Sequence, residues 1–432
     1  MTSPSPTVGF AGLTHLGLVS AVGAATKGLR VIGYDADASR VRDIAAGRLP
    51  VVEPDLDDLA RRFGAQLSYA DRVGDLAACD LVYIATDVPT DDRGQSDLSG
   101  ISSLIEAVIP TLKADALLCV LSQVPPGFTR RIRLDPARLY YQVETLVFGR
   151  AVERATKPER FIVGCADPAR PLPAAYAAVL GAYDCPILPM RYESAELAKI
   201  AINCCLVASV SVANTLADLS ERIGADWHEI APALRLDRRI GAYSYLAPGL
   251  GIAGGNLERD LATVLRLSEA AGGEASVIAA FVENSRVRRD WVLRLVHREI
   301  LPRQPNPTFG ILGLAYKENT HSTKNSPSLA LIAQLQNWPI RVYDPAVPAS
   351  AVVHPAVTAA AGALDAARGA DALLIMTPWP EFRGLSAADL AAAMRGRAIV
   401  DPFRVLDSDA LRAAGFSYYT LGTPPLRGAK DS

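Results

Sequence analysis

Between Thr7 and Asp35 the chain has few ways to fold. TVGFAG is a short apolar run and RVIGYDAD is a second. The residues between them carry helical spacing behind a turn that opens on Gly12 and closes on Gly17. A strand that ends in glycine, enters a helix and returns to a strand is a βαβ unit, which demands a parallel sheet covered on both faces. ACDLVYIAT and ALLCVLSQV continue the alternation, and LYYQV and RFIVGC read as further strands.

From about Glu193 to Ile300 the pattern turns helical. SAELAKIAINCCLVASVSVANTLADLSERIG is long and apolar and breaks only at Gly224, and ASVIAAFVENSRVRRDWVLRLVHREI predicts a second long helix. A glycine-rich loop from Pro248 to Gly255 separates them. After the proline-rich PRQPNP, strand patterns return in TFGILGLAY, PIRVYDP, ADALLIMTP, RAIVDPF and GFSYYTLG. The expected fold is α/β: two Rossmann-like doubly wound domains, residues 1–190 and 301–432, joined by a helical domain at 191–300 with a long central helix. The apolar surface of that helix suits a dimer interface.

A net charge of -2 in 432 residues provides no basic field for nucleic acid and no polybasic membrane signal. Small molecules are the expected partners. The six cysteines show no C-x-x-C spacing and read as free thiols of a reducing compartment. Met1 to Thr7 lacks a basic segment followed by an apolar core, so a cytoplasmic protein is expected. Residues 200–216 carry no charge, but Asn203, Ser209, Ser211 and Asn214 among them favour a buried helix over a membrane span. No metal site is expected.

The turn Gly12-Leu13-Thr14-His15-Leu16-Gly17 stands where a dinucleotide fingerprint belongs, with Thr14 in place of the middle glycine. The outer glycines serve the tight turn and close helix–strand packing, and the pyrophosphate would lie at the helix N-terminus. Asp35, closing the second strand, can bind the ribose hydroxyls and disfavours a 2′-phosphate, which points to NAD. A side chain at position 14 would crowd the pyrophosphate, so a domain that has lost tight cofactor binding stays open as a reading. His15 reads as a loop residue with no partner.

Taken together, GLTHLG, Glu53-Pro54-Asp55-Leu56, VPTDDRGQSDLS, VPPGFTRR, AELAKIAIN, RRIGAYSYLAPGLGIAGG, ILGLAYKENT and VYDP resemble the UDP-glucose/GDP-mannose dehydrogenase family over nearly the whole chain. The RIG, YL and glycine-loop pattern looks most like its UDP-glucose 6-dehydrogenase branch. The resemblance implies an NAD domain, a helical dimerisation domain and a nucleotide-sugar domain. It also implies oxidation of a sugar C6 alcohol to the acid with two NAD, through a cysteine thioester.

By the same resemblance Lys199, Asn203, Glu144 and Asp260 fall on catalytic positions. Gly12, Leu13, Thr14, Gly17, Asp35, Pro89, Gln123 and Lys324 fall on cofactor positions. Arg239, Tyr245, Gly251 and Lys317 fall on substrate positions, Arg239 reaching the neighbouring subunit's substrate. Lys199 and Asn203 are spaced i, i+4 and share a helix face. A lysine ammonium there can stabilise a developing alkoxide, and Glu144 can act as a base.

The departures are as informative. Where the family has its cysteine, this chain has Asn256, in GIAGGNLERD, and no cysteine follows Cys205. Asparagine at a helix start suits an N-cap; alternatively its amide bonds the C6 oxygen or a hydrated aldehyde. Gln123 replaces a threonine, Phe148 a glutamate, Val88 a threonine and Lys324 an arginine, while Pro402-Phe403 replaces a glycine–arginine pair, with Arg404 one place later. The stretch from Arg131 to Tyr140 is too short for the helix expected there. Asparagine is no nucleophile, so the thioester route is closed. What remains is one oxidation, two through a hydrated aldehyde, a redox-neutral change with retained NADH, or a silent nucleotide-sugar-binding or regulatory homologue.

Overall fold

The protein is described from a computed structural model covering residues 5–91 and 94–428. Met1 to Pro4, and Asp92 and Arg93 of the VPTDDRGQSDLS block, lie outside the described residues. The chain forms two compact units, Met1–Ile202 and Asn203–Ser432.

Among the described residues the first unit carries eight strands: β1 (Thr7–Ala11), β2 (Arg30–Tyr34), β3 (Leu67–Ala70), β4 (Leu81–Ile84), β5 (Leu117–Val120), β6 (Leu139–Gln142), β7 (Phe161–Cys165) and β8 (Ile187–Arg191). Their order is β3-β2-β1-β4-β5-β6-β7-β8, and every pair is parallel except β6 with β7. The order reverses between β1 and β4, and such a switch point opens a crevice at the C-terminal strand ends. β4 and β5 are buried along their whole length, as expected of strands covered on both faces. The edge strands β3 and β8 are partly polar and half-exposed, and neither is marked in the apolar pattern of the sequence.

The second unit holds β9 (Phe309–Leu312), β10 (Ile340–Tyr343), β11 (Val357–Ala359), β12 (Ala372–Ile375), β13 (Ala398–Val400) and β14 (Ser417–Tyr419). The sheet order β11-β10-β9-β12-β13-β14 repeats the switch-point pattern with all pairs parallel. The fold class read from the sequence holds: α/β with two doubly wound sheets and a helical region carrying one long helix.

That helix runs from Tyr192 to Ile223 and stops at Gly224, whose φ of 82° is the left-handed turn that ends helices. Its N-terminal part belongs to the first unit, where the buried Tyr192 donates to the Leu139 carbonyl at 2.8 Å. The second long helix expected from the sequence is shorter. It ends at Arg289, and a five-residue helix (Trp291–Leu295) and a π-turn (Val296–Ile300) follow. The break comes where Arg288 is buried against Asp218 and the Trp291 indole donates to Glu221, contacts that helical periodicity does not encode. The 3-10 turn Thr129–Arg131 ends where the short segment begins, and residues 132–138 reach β6 at Leu139 without a helix.

Candidate active site

In the first unit the turn after β1 has the shape its glycines demand. Gly12 sits at φ 98°, and a Cβ on Gly17 would lie 1.7 Å from the Gly12 carbonyl. The helix that follows (His15–Ala25) has no acidic residue in its first turn and no side chain capping it, so its first amides face outward for an anion. Thr14 occupies the N-cap position, but its hydroxyl is turned toward the loop after β4, where it accepts from the Asp87 amide at 3.0 Å. The side chain that threatened to crowd a pyrophosphate is thereby committed elsewhere.

Asp35 ends β2 and is largely buried. Its carboxylate accepts from the Leu13 amide at 2.8 Å and the Asp37 amide at 2.9 Å, and Arg40 Nη1 lies 2.9 Å from both oxygens. Gly12, Leu13, Thr14, Gly17 and Asp35 therefore form one group at the switch point, and they fit a dinucleotide. Pro89, whose carbonyl accepts from Asp97, follows β4, and Gln123 follows β5.

One part of this groove escaped the sequence reading. His15 begins the helix, and its Nε2 lies 2.8 Å from Glu53 Oε1. The Glu53 side chain is fully buried and also accepts from the Gly149 and Ala151 amides at 3.0 and 3.1 Å. The Phe148 ring lies tilted against the His15 ring, with centroids 4.2 Å apart. So His15 is no incidental loop residue: it ties the start of the helix to the 148–151 turn. The partners are far apart in sequence, and no local pattern marks the pairing.

Lys199 and Glu144 meet in the same unit. The ammonium donates to the Glu144 carbonyl at 2.9 Å and lies 3.3 Å from its carboxylate, with both side chains largely buried. The Glu144 carboxylate accepts in addition from the Leu146 amide.

Asn203, four residues on along the long helix, opens the second unit. Its amide donates to Asp260 Oδ2 at 2.5 Å, and Arg259 Nε donates to the other oxygen at 3.2 Å. Asp260 is 1% exposed. A carboxylate so enclosed is a holder of Asn203 rather than an accessible base for water.

Asn256 is the first residue of the helix Asn256–Ala271, and Gly255 is its N-cap. The capping role read from the sequence is thus corrected: glycine adopts the non-helical N-cap conformation (φ -131°, ψ -26°). Asn256 is exposed, and its amide makes no hydrogen bond among the described residues. The preceding loop depends on Gly251, at φ 79°, where a Cβ would lie 2.4 Å from the Ser285 carbonyl.

Cys204, beside Asn203 on the long helix, is half-buried against the cluster of Val207, Ile252 and Leu261. Burial, reinforced by the charge of Asp260, pushes it up to about 11. A thiol protonated at neutral pH and wedged among apolar side chains is no stand-in nucleophile.

The substrate candidates are less gathered. Arg239 is exposed and pairs with Asp237 at 2.6 Å, and Tyr245 is 53% exposed in the following loop. Lys317 lies 5.8 Å from the Tyr316 ring. Lys324, the remaining cofactor candidate, lies in the second unit, where its backbone carbonyl accepts from the Gly254 amide.

Three family models match the chain in order. Residues 6–179 match the NAD binding domain, 193–286 the central domain and 310–408 the UDP binding domain of the UDP-glucose/GDP-mannose dehydrogenase family. UDP-glucose 6-dehydrogenase TuaD of Bacillus subtilis is 28% identical over 437 residues, covering 98% of this chain and 94% of that protein. The UDP-glucose 6-dehydrogenase of Pseudomonas aeruginosa is 28% identical over 447 residues, covering 98% of each. Among solved structures, a UDP-glucose dehydrogenase from the archaeon Pyrobaculum islandicum superposes with a TM-score of 0.82 at 28% identity, covering 95% of this chain and 98% of that one.

Proposed function

The chain belongs to the UDP-glucose/GDP-mannose dehydrogenase family, and from that premise we propose an NAD-dependent oxidoreductase that removes one hydride from a CH–OH group of a nucleoside-diphosphate sugar, a UDP-hexose, without a thioester. The observation that carries this reading is the pairing of an exposed, unbonded Asn256 with a protonated, packed Cys204. The covalent half of a four-electron reaction then has no nucleophile at the position where the family resemblance puts its cysteine.

Bound NAD supplies the acceptor for the hydrogen and electron pair leaving carbon. The chain's own groups deal with the oxygen. Lys199 stabilises negative charge growing on the substrate hydroxyl, and Glu144, 3.3 Å from that ammonium, is placed to take its proton. In the second unit the Asn203 side chain is held in place by Asp260. The Asn256 amide offers a further donor. A second oxidation needs a base for water; the seal around Asp260 disfavours it in that role, which leaves Glu144, the same carboxylate that takes the first proton, to serve twice. The turned-away Thr14 hydroxyl favours an active enzyme over a silent binder.

The test is to incubate the protein with NAD and UDP-glucose, count NADH per sugar and weigh the product. One NADH and a loss of two hydrogens are expected. Two NADH with an acid product overturn the single-step reading, and NADH-free conversion of the sugar points to retained cofactor. No conversion of a nucleotide-sugar panel together with no NAD binding leaves only a silent homologue.

A homodimer is part of the reading. Val212, Leu216, Leu219 and Ile223 are exposed at three- and four-residue spacing along the long helix, one apolar stripe that a second copy would cover. Leu219→Glu is expected to shift the protein from dimer to monomer in size-exclusion chromatography with light scattering. An unchanged mass would move the interface to another face. Six unpaired cysteines suit a cytoplasmic setting.

A further inference from the structure

The glycine loop that presents Asn256 is fastened within the second unit to the segment after β9. The Gly254 amide donates to the Lys324 carbonyl at 3.1 Å. The Asn325 side-chain amide donates back to the Gly254 carbonyl at 3.0 Å and also to the Glu258 carboxylate, two residues beyond Asn256. Gly254 itself, at φ 87°, lies against Tyr316, so that a Cβ there would come within 3.0 Å of the ring. Asn325 reaches these partners from a left-handed backbone, φ 53°, a conformation asparagine tolerates better than most residues.

We infer that Glu258 and Asn325 are positioning residues: their side chains staple the Asn256-bearing loop to the segment that carries the substrate candidate Lys317, so that binding of the nucleotide sugar and placement of Asn256 are coupled. Glu258 is half-buried, and burial pushes its carboxyl up while Asn325, Arg289 and Lys324 pull it down. An acid kept in such a place needs a partner, and Asn325 is that partner. Because one Asn325 amide serves both Gly254 and Glu258, loss of either side chain slackens the same loop.

For its kinetic arm this rests on the proposed oxidoreductase reading; its structural arm does not. The experiment compares Glu258→Ala, Asn325→Ala, the double variant and Glu258→Gln. It reads hydrogen exchange over residues 251–260 in the free protein, and kcat and KM for UDP-glucose with NAD. The alanine variants should each exchange faster over 251–260 and lose kcat on the order of 10- to 100-fold, with KM moving less, because a loop displaced by about an ångström costs that much. The double variant should be no worse than either single one. Glu258→Gln still accepts from Asn325 and should restore most of the loss. Wild-type exchange in the alanine variants, or losses that add, would overturn the staple. Glu258→Gln as impaired as Glu258→Ala would mean that the carboxylate itself does the work. If the wild type does not oxidise UDP-glucose, the oxidoreductase reading fails and the exchange data alone decide this one.

Discussion

Replacing Lys199 with alanine is expected to lower kcat for nucleotide-sugar oxidation by about 10²- to 10³-fold, the range found when one preorganised donor to a developing oxyanion is removed. An ammonium has three N–H donors. Here two of them are directed at the Glu144 carbonyl and carboxylate, which leaves one for the substrate oxygen. The side chain is 13% exposed, so water does not readily take its place. Lys199→Arg is expected to fail almost as badly, since a planar guanidinium cannot reproduce a point charge held at two acceptors. NAD affinity should stay within a few-fold in both, because the proposed cofactor groove is made of other residues, Gly12, Leu13, Thr14, Gly17 and Asp35. Steady-state kinetics with parallel NAD titration and thermal melting decide the matter. A kcat within threefold of wild type in a folded Lys199→Ala protein removes Lys199 from the chemistry.

Much of this site could be read in the sequence, for reasons that differ by residue. The buried strands β4, β5, β9 and β12 stand out because a strand covered on both faces is a continuous apolar run. The edge strands β3, β8 and β11 do not, because exposure breaks the run and no turn signal replaces it. Lys199 and Asn203 share a face by helical periodicity alone. Their partners Glu144 and Asp260 came from family resemblance, and the pairings are now distances. His15 with Glu53, and Asn325 with Glu258, are tertiary pairings across 38 and 67 residues, and local pattern is silent about them. Asn256 misled for a simpler reason: asparagine is a good N-cap, but a glycine stood one place ahead and took the position. The single long helix expected over 275–300 failed because periodicity does not register the buried Arg288 and its acidic partners.

Asn256→Cys is expected to change the product itself. The position is exposed and opens a helix, so a cysteine fits without disturbing the core, and the free first-turn amides favour its thiolate. Glu258 in the same turn opposes that, so the thiol is expected to be reactive at neutral pH without being strongly acidic. An aldehyde formed by the first oxidation would then add to the sulfur as a thiohemiacetal. A second NAD would take its hydride, and water would release the acid from the resulting thioester. The measurement is NADH per sugar and product mass, with iodoacetamide labelling of the introduced thiol beside it: two NADH and an acid are expected, against the one NADH and aldehyde proposed for the wild type. That outcome would place the loss of four-electron chemistry in one side chain. An Asn256→Cys protein that labels fully but still makes only aldehyde would mean that Phe148, Gln123 and the sealed Asp260 have removed the second half as well, and the pocket is built for a single oxidation. If the introduced thiol resists labelling, the loop does not present that position to solvent, and the role assigned to Asn256 falls.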